Sequence, residues 1–301
     1  MEEITKCEII STLRGHSDFL YCLAISPDGQ TLFSASRDKT IKVWHLQSGE
    51  ELRTLRGHES LVFDLVISSN GQMLVSGSSD ETIKVWDVHR GEEIITIRGH
   101  KGRVNALALS PDGQTLVSTS MDKTIKIWHL KTGQEIRTFS HNSSYVHDLT
   151  ISPDGQTLVS GGKAKTIKIW NLLTGQEIRT LIGHTNDIDS VAISPDGQTL
   201  ASGGWDETIK LWHLASGQEI RTIPCGFLGT VHCATFSPDG QTIASGHKDG
   251  TIRFWQVKTG TQLFELGEHS DGVNCVVFSP DGKRLASCAL WDKTIKIWKL
   301  Q

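Results

Sequence analysis

The amino-acid sequence predicts an all-β fold, a seven-bladed β-propeller with four antiparallel strands per blade, spanning residues 1–301 as a single domain. Three observations carry this expectation. Tryptophan recurs at positions 44, 86, 128, 170, 212, 255 and 298, in steps of 42, 42, 42, 42, 43 and 43 residues. A turn, Ser-Pro-Asp-Gly in six units and Ser68-Ser69-Asn70-Gly71 in the second, lies seventeen or eighteen residues before each tryptophan. Between these marks apolar residues alternate with period two over short runs, which is a strand pattern and not a helical one.

The strands follow in a fixed order within each unit. Strand a leads to the Ser-Pro-Asp-Gly turn, whose Ser, Pro and Gly suit the first, second and fourth positions of a type I turn. Strand b is Thr31-Leu32-Phe33-Ser34-Ala35-Ser36 or a close variant. An Asp-Lys-Thr-like turn leads into strand c, which ends on the repeated tryptophan. A Ser-Gly or Thr-Gly turn then opens strand d, for example Glu177-Ile178-Arg179-Thr180-Leu181. Four short strands in ~42 residues, repeated seven times, are the mark of a propeller, and no stretch is left for a helix. The seventh unit reaches Gln301 just after strand c, while Glu8-Ile9-Ile10-Ser11-Thr12-Leu13 copies the strand d phrase ahead of the first turn. The N-terminal strand is therefore expected to complete the last blade and close the ring without an open sheet edge.

Composition narrows the class further. The chain is 37% hydrophobic and 21% charged with a net charge of −4, which gives no sign of general affinity for nucleic acid or anionic membrane. No apolar run approaches the ~20 residues of a membrane span, and the N-terminus lacks the basic and then apolar pattern of a secretory signal. Cys7, Cys22, Cys225, Cys233, Cys275 and Cys288 show no ligand spacing, so they read as reduced thiols in a cytoplasmic protein without metal or other cofactor.

Gly-His, Ser-Pro-Asp-Gly, Ser-x-x-x-Asp and tryptophan landmarks recur in order, and on these the chain resembles the WD-repeat proteins over nearly its whole length, above all the regular propellers of bacteria. The resemblance implies a buried hydrogen-bonded chain of His, Ser, Asp and Trp in each complete blade. Those sets are His16, Ser34, Asp38 and Trp44; His58, Ser76, Asp80 and Trp86; His100, Ser118, Asp122 and Trp128; and His184, Ser202, Asp206 and Trp212. A Ser–His–Asp set also resembles a hydrolytic triad, but four copies in one chain point to a structural network. Three units depart from the pattern. In the fourth, Asn142 takes the His register and Ala164 replaces the Asp; in the sixth, Gly226 or Phe227 stands at the His position; in the seventh, an extra residue near Cys288 is expected to move Ser287 out of register. Blades four and six are accordingly expected to be softer.

Positions that fail to repeat mark the working face. Counted back from the turn proline (Ser69 in unit two), the columns at minus seven, minus four and minus two are apolar throughout, and the step of three implies a β-bulge. The column at minus eight holds Phe19, Leu61, Arg103, Tyr145, Asp187, Thr230 and Gly272. The column at minus six holds Tyr21, Phe63, Asn105, His147, Asp189, His232 and Asn274. The residue before the b–c Asp varies as Arg37, Ser79, Met121, Lys163, Trp205, Lys248 and Trp291. The resemblance places these columns on the top face around the central channel, where most partners of such propellers bind. Both tyrosines and the two tryptophans outside the frame fall in them, and aromatics with Arg and Met are enriched at interface centres.

The resulting expectation is a non-enzymatic scaffold, monomeric by itself, that binds a protein or peptide through this face. The face divides into an apolar sector (Phe19, Tyr21, Leu61, Phe63), an acidic one (Asp187, Asp189 beside Trp205) and the cations Arg103, Lys163 and Lys248. A peptide with an apolar anchor and a nearby basic residue would suit it. Two alternatives are weaker. An enzyme or small-ligand binder would use the channel mouth, but no HExxH, GxSxG or P-loop is present. A polyanion or nucleic-acid binder would use the column Lys42, Lys84, Lys126, Lys168, Lys210, Arg253 and Lys296, whose heads are expected to reach water over apolar stems.

Overall fold

The computed structural model describes residues 7–140, 144–226 and 228–301. Their 28 strands, β1 to β28 in chain order, form seven four-stranded antiparallel sheets, and no helix occurs among the described residues. Blade one contains β2 (Leu20–Ile25), β3 (Thr31–Ser36), β4 (Ile41–His45) and β5 (Glu51–Leu55) as strands a to d. Blades two to six repeat this order with β6 to β25 in residues 62–266. Blade seven takes β26 (Val273–Phe278), β27 (Arg284–Ala289) and β28 (Ile295–Leu300) and receives β1 (Cys7–Leu13) as its outer strand. Ile9 lies opposite Trp298 and Leu13 opposite Ile295, so the two ends of the chain share one sheet, as the repeated strand d phrase predicts.

Turn chemistry fixes the strand order locally. In the first a–b turn, Gly29 donates its N–H to the Ser26 carbonyl at 2.8 Å, and Asp28 accepts from the Ser26 hydroxyl at 2.5 Å and from Gln30 N at 3.0 Å. Gly29 has φ +69°, a left-handed conformation that glycine adopts without a Cβ penalty. The core lies between neighbouring sheets. Phe33, Ile41, Val43 and Leu55 of blade one meet Val62, Leu65, Leu74 and Trp86 of blade two, and Trp86 is 2% exposed. Burying such apolar surface, at about 25 cal/mol per Å2, is what joins one blade to the next.

The expected bulge is present in every strand a. Leu20 pairs with Ser36 and Cys22 with Ala35, which leaves Tyr21 unpaired, and the same skip leaves out Phe63, Asn105, His147, Asp189, His232 and Asn274. A bulge re-aims a side chain out of the two-sided alternation.

The basic column is not as expected. Lys84 and Lys126 are 7% and 8% exposed, and their Nζ atoms donate to Glu93 and Glu135 at 2.7 Å and to Thr96 and Thr138. Lys42, Lys168 and Lys210 pair likewise with Glu51, Glu177 and Glu219, and Arg253 with Asp249 and Glu265. In blades one to six strand d brings a Glu over the cation, so these charges are paired against the sheet and not held out to water. In blade seven Ile9 stands opposite Trp298 where the other blades place that acidic residue or Gln, and Lys296 is half-buried opposite Thr12.

Candidate functional site at the channel mouth

The frame network comes first, because it positions the loops of the top face. In blade one, Trp44 Nε1 donates to Ser34 Oγ at 2.8 Å, Ser34 Oγ lies 2.8 Å from His16 Nε2, and His16 Nδ1 lies 2.7 Å from Asp38 Oδ2. Indole can only donate, so the serine proton is left for His Nε2 and the imidazole donates through Nδ1 to the carboxylate. Asp38 also accepts from Ser17 N and from the Thr40 hydroxyl. The d–a loop is thereby tied to the b–c turn. Blades two, three and five repeat the set through His58, Ser76, Asp80 and Trp86; His100, Ser118, Asp122 and Trp128; and His184, Ser202, Asp206 and Trp212. Ser34, Ser76, Ser118 and Ser202 are 0% exposed, so none can reach a substrate as a nucleophile. The glycine before His16 leaves room for the ring system, since a Cβ at Gly15 would come within 3.0 Å of Trp44.

Two expectations about this network are corrected. In blade seven Ser287 stays in register: it accepts from Trp298 Nε1 at 2.8 Å and meets His269 Nε2 at 2.8 Å, while His269 Nδ1 meets Asp292 at 2.7 Å. The extra residue is absorbed after Ser287, in the b–c turn. In blade six the imidazole comes from elsewhere. His247, at the strand b position held by Ser36 in blade one, turns back to Ser245 at 2.7 Å and to the Gly229 carbonyl at 3.0 Å, and Trp255 donates to Ser245. Blade six is therefore not stripped of its network. Blade four is the depleted one. Ala164 supplies no carboxylate, and the Thr166 hydroxyl, whose counterparts donate to Asp, is buried without a partner among the described residues. The expectations for His141, Asn142 and Phe227 lie outside the described residues.

The three variable columns do share one end of the propeller. The residue before the b–c Asp donates its N–H to the carbonyl at minus eight, as Arg37 to Phe19, Met121 to Arg103, Lys163 to Tyr145 and Trp205 to Asp187, at 2.8 to 3.0 Å. In blade seven Leu290 makes this bond to Gly272, so Trp291 is the inserted residue and is pushed outward to 66% exposure. All seven bulge residues, Tyr21, Phe63, Asn105, His147, Asp189, His232 and Asn274, converge with Arg103 on one cavity of about 250 Å3 at the channel mouth. Phe19, Arg37, Leu61, Met121, Tyr145, Lys163, Asp187, Trp205, Lys248 and Trp291 do not line it.

Contacts within this end are specific. Tyr21 and Phe63 stack at 4.4 Å, and the Arg103 guanidinium lies 4.0 Å from the Phe63 ring centre. Phe19 packs on Trp291 at 4.3 Å across the junction of blades one and seven. Lys163 and Lys123 both approach the Tyr145 ring, and Lys248 approaches Trp205. Trp205 Nε1 donates to Asp189 at 2.7 Å and His232 Nδ1 lies 3.3 Å from the same oxygen, so the acidic sector is partly engaged from within. Burial lowers the pKa of His147 and favours its neutral form; Asp189 and Asp187 oppose this, while Lys163 and Arg103 reinforce it.

The sequence reading did not single out Lys123, nor the column at minus five, which follows the bulge. Cys22, Asp64, Asp148, Ser190, Cys233 and Cys275 stand there and stitch neighbouring inner strands together. Asp64 accepts from Leu107 N at 2.6 Å, Asp148 from Val191 N at 2.8 Å, Ser190 from Ala234 N at 3.0 Å and Cys275 from Leu23 N at 3.3 Å. A column of short polar residues between apolar ones was the available signal. Larger cavities, of about 700, 520 and 470 Å3, lie between blades one and two, three and four, and four and five on the opposite rim. Their walls are the repeated a–b and c–d turns, so they recur with the frame. Among the described residues no group of three or more His, Cys, Asp or Glu has an arrangement that could hold a metal ion.

Fold and site together define a repeat propeller with a uniform interior and one variable end. The chain belongs to the family described as WD domain, G-beta repeat, which it matches at residues 7–45, 49–87, 91–129, 133–171, 175–213, 217–256 and 260–299. Shorter stretches are similar to curated proteins. Identity is 50% over 40 residues with nuclear distribution protein PAC1 of Candida dubliniensis, covering 13% of this chain and 8% of that protein. It is 39% over 49 residues with small ribosomal subunit protein RACK1 of Medicago sativa and 35% over 49 residues with RACK1z of Arabidopsis thaliana, each covering 16% of this chain and 15% of the relative. The matched segments thus span only a small part of those relatives, which come from a yeast and from plants.

Proposed function

We propose that the protein is an interaction scaffold that holds a protein or peptide partner on its top face. Propellers of this family generally mediate protein interactions. The observation that supports this reading here is the convergence of every bulge residue on the channel mouth, ringed by the exposed aromatics Trp205 and Trp291 at 46% and 66%. Exposed aromatics next to a polar cavity are what an interface centre uses. The relatives are named for an assembly and for a process, neither for a reaction. No helix among the described residues is long and apolar enough to cross a membrane, and all six cysteines are unpaired, which suits a cytoplasmic site of action. The polyanion alternative loses support because five lysines and the arginine of the basic column are already paired inside the blades.

Affinity capture from a lysate of the source organism tests the reading. Wild type is compared with Tyr145→Ala/Trp205→Ala/Trp291→Ala after both show the same circular dichroism spectrum and melt. A protein retained by wild type and lost by the variant is the expected result. Equal retention by both would move the site to the blade rims or the opposite face.

A further inference from the structure

The strongest unexplained group on the top face is a cation without an anion. The Arg103 guanidinium donates through Nε to Asn105 at 2.8 Å, and its only other hydrogen-bond partner among the described residues is the Met121 sulfur, 3.9 Å from one terminal nitrogen. No carboxylate lies within ion-pair distance of it there. In blades one to six the sequestered cations of the frame are treated differently: the buried lysines meet Glu and Arg253 meets two carboxylates, and even the exposed Arg37 has Asp18 at 3.7 Å. A half-buried charge left unpaired is costly, and burial does lower the affinity of Arg103 for its proton.

Resting on the scaffold reading, we propose that the channel mouth anchors the partner by one acidic side chain, an Asp or Glu carboxylate received by Arg103 within the cavity. The guanidinium is planar and can keep its face on Phe63 while its edge receives both oxygens of a carboxylate. Asn105, already bonded to Arg103 Nε and donating to the Val146 carbonyl at 3.0 Å, holds the fork in place. Asp187 and Asp189 limit the incoming charge. Both act on His147, which lines the same cavity, so a second or third anion entering there is repelled, and a nucleic acid or polyphosphate does not fit. Apolar platforms flank the mouth, Phe19 with Trp291 on one side and Trp205 on the other. A segment that uses both must cross the opening, which makes the anchor an internal side chain and not a chain terminus.

A phage-displayed library of random peptides, selected in parallel on wild type, Arg103→Gln and Arg103→Lys, tests this. Wild type is expected to enrich peptides with Asp or Glu at one fixed position. Arg103→Gln is expected to lose that preference while keeping the apolar ones, and Arg103→Lys to keep it at lower affinity. Changing the acidic residue of an enriched peptide to its amide should weaken binding to wild type by about tenfold or more and leave binding to Arg103→Gln unchanged; the wild-type half of this arm does not depend on how well the variants fold. Enriched peptides without an acidic position, or with one that Arg103→Gln still requires, overturn the anchor and leave the scaffold reading standing. Enriched peptides that bind Tyr145→Ala/Trp205→Ala/Trp291→Ala as well as wild type overturn both.

Discussion

Asp148 and Asp122 are the same residue type with opposite protonation behaviour. Inside the channel, burial pushes the Asp148 carboxyl up to about 7 and Asp64 to about 6, although backbone N–H groups pull both down. In the loop network burial also acts upward on Asp122, but hydrogen bonds from Thr124, Lys101 N and His100 outweigh it and hold the carboxyl at about 2. The consequences for stability differ in sign. A depressed carboxyl contributes stability that is present above the unfolded value, near pH 4, and is lost as pH falls toward its folded value. A raised carboxyl binds more protons folded than unfolded, so its charge weakens the fold as pH rises from about 4 through its folded value. Asp148→Asn removes the channel charge and keeps an oxygen for Val191. Relative to wild type it is expected to gain about 1–3 kcal/mol in stability between about pH 5 and pH 8, read from melts at both values. A difference that does not change with pH would mean that Asp148 is ionised in the folded state already at pH 5, with its carboxyl not raised.

At the scale of the blade, stability follows the completeness of the Trp–Ser–His–Asp chain. Blade four keeps the Trp170 to Ser160 bond at 2.9 Å but lacks the carboxylate at Ala164. Its strands Thr157–Gly162 and Thr166–Asn171 are expected to exchange their amide hydrogens fastest, with blades six and seven as slow as blade one. Exchange in blade six as fast as in blade four would show that His247 does not replace the missing imidazole. The strands, turns and bulge were legible in the sequence because each is written seven times, and the four complete networks because they recur at one spacing, so a departure stands out against the copies. The repair in blade six was not, because a His two residues after Ser245 could be assigned to the network only once the ring was seen turning back. Ser287 was misjudged for a related reason: spacing shows that a residue has been inserted but not on which side of the serine the turn absorbs it. At the channel mouth, the columns could be read from sequence, but the bond from Trp205 to Asp189 and the lack of an acid at Arg103 among the described residues depend on side-chain distances that spacing does not give.

For the whole molecule, closure rests on β1, which among the described strands is the one that joins a sheet from the far end of the sequence. Removing residues 1–13 would expose the edge of β28, including Trp298, which Ile9 faces across the pair. The truncated protein is expected to form concentration-dependent oligomers or to melt at least several degrees lower, checked by light scattering and calorimetry. A monomer with an unchanged melt would show that three strands suffice for blade seven. The same ring explains how one frame serves a variable face. The cations of the basic column in blades one to six are paired within their own blade, so substitutions at the top loops leave these pairs untouched.

Closure also has a consequence for synthesis on the ribosome. Within the propeller β1 emerges before the other described strands and β28 after them, with about 280 residues between the paired positions Leu13 and Ile295. At translation rates of about 5–20 residues per second, the first strand waits roughly 15 to 60 seconds for its partner, while blades one to six can already assemble in turn. Throughout that interval the nascent chain carries one unclaimed strand and one uncovered flank of blade one, so the vulnerable species is the propeller that lacks only its last strands.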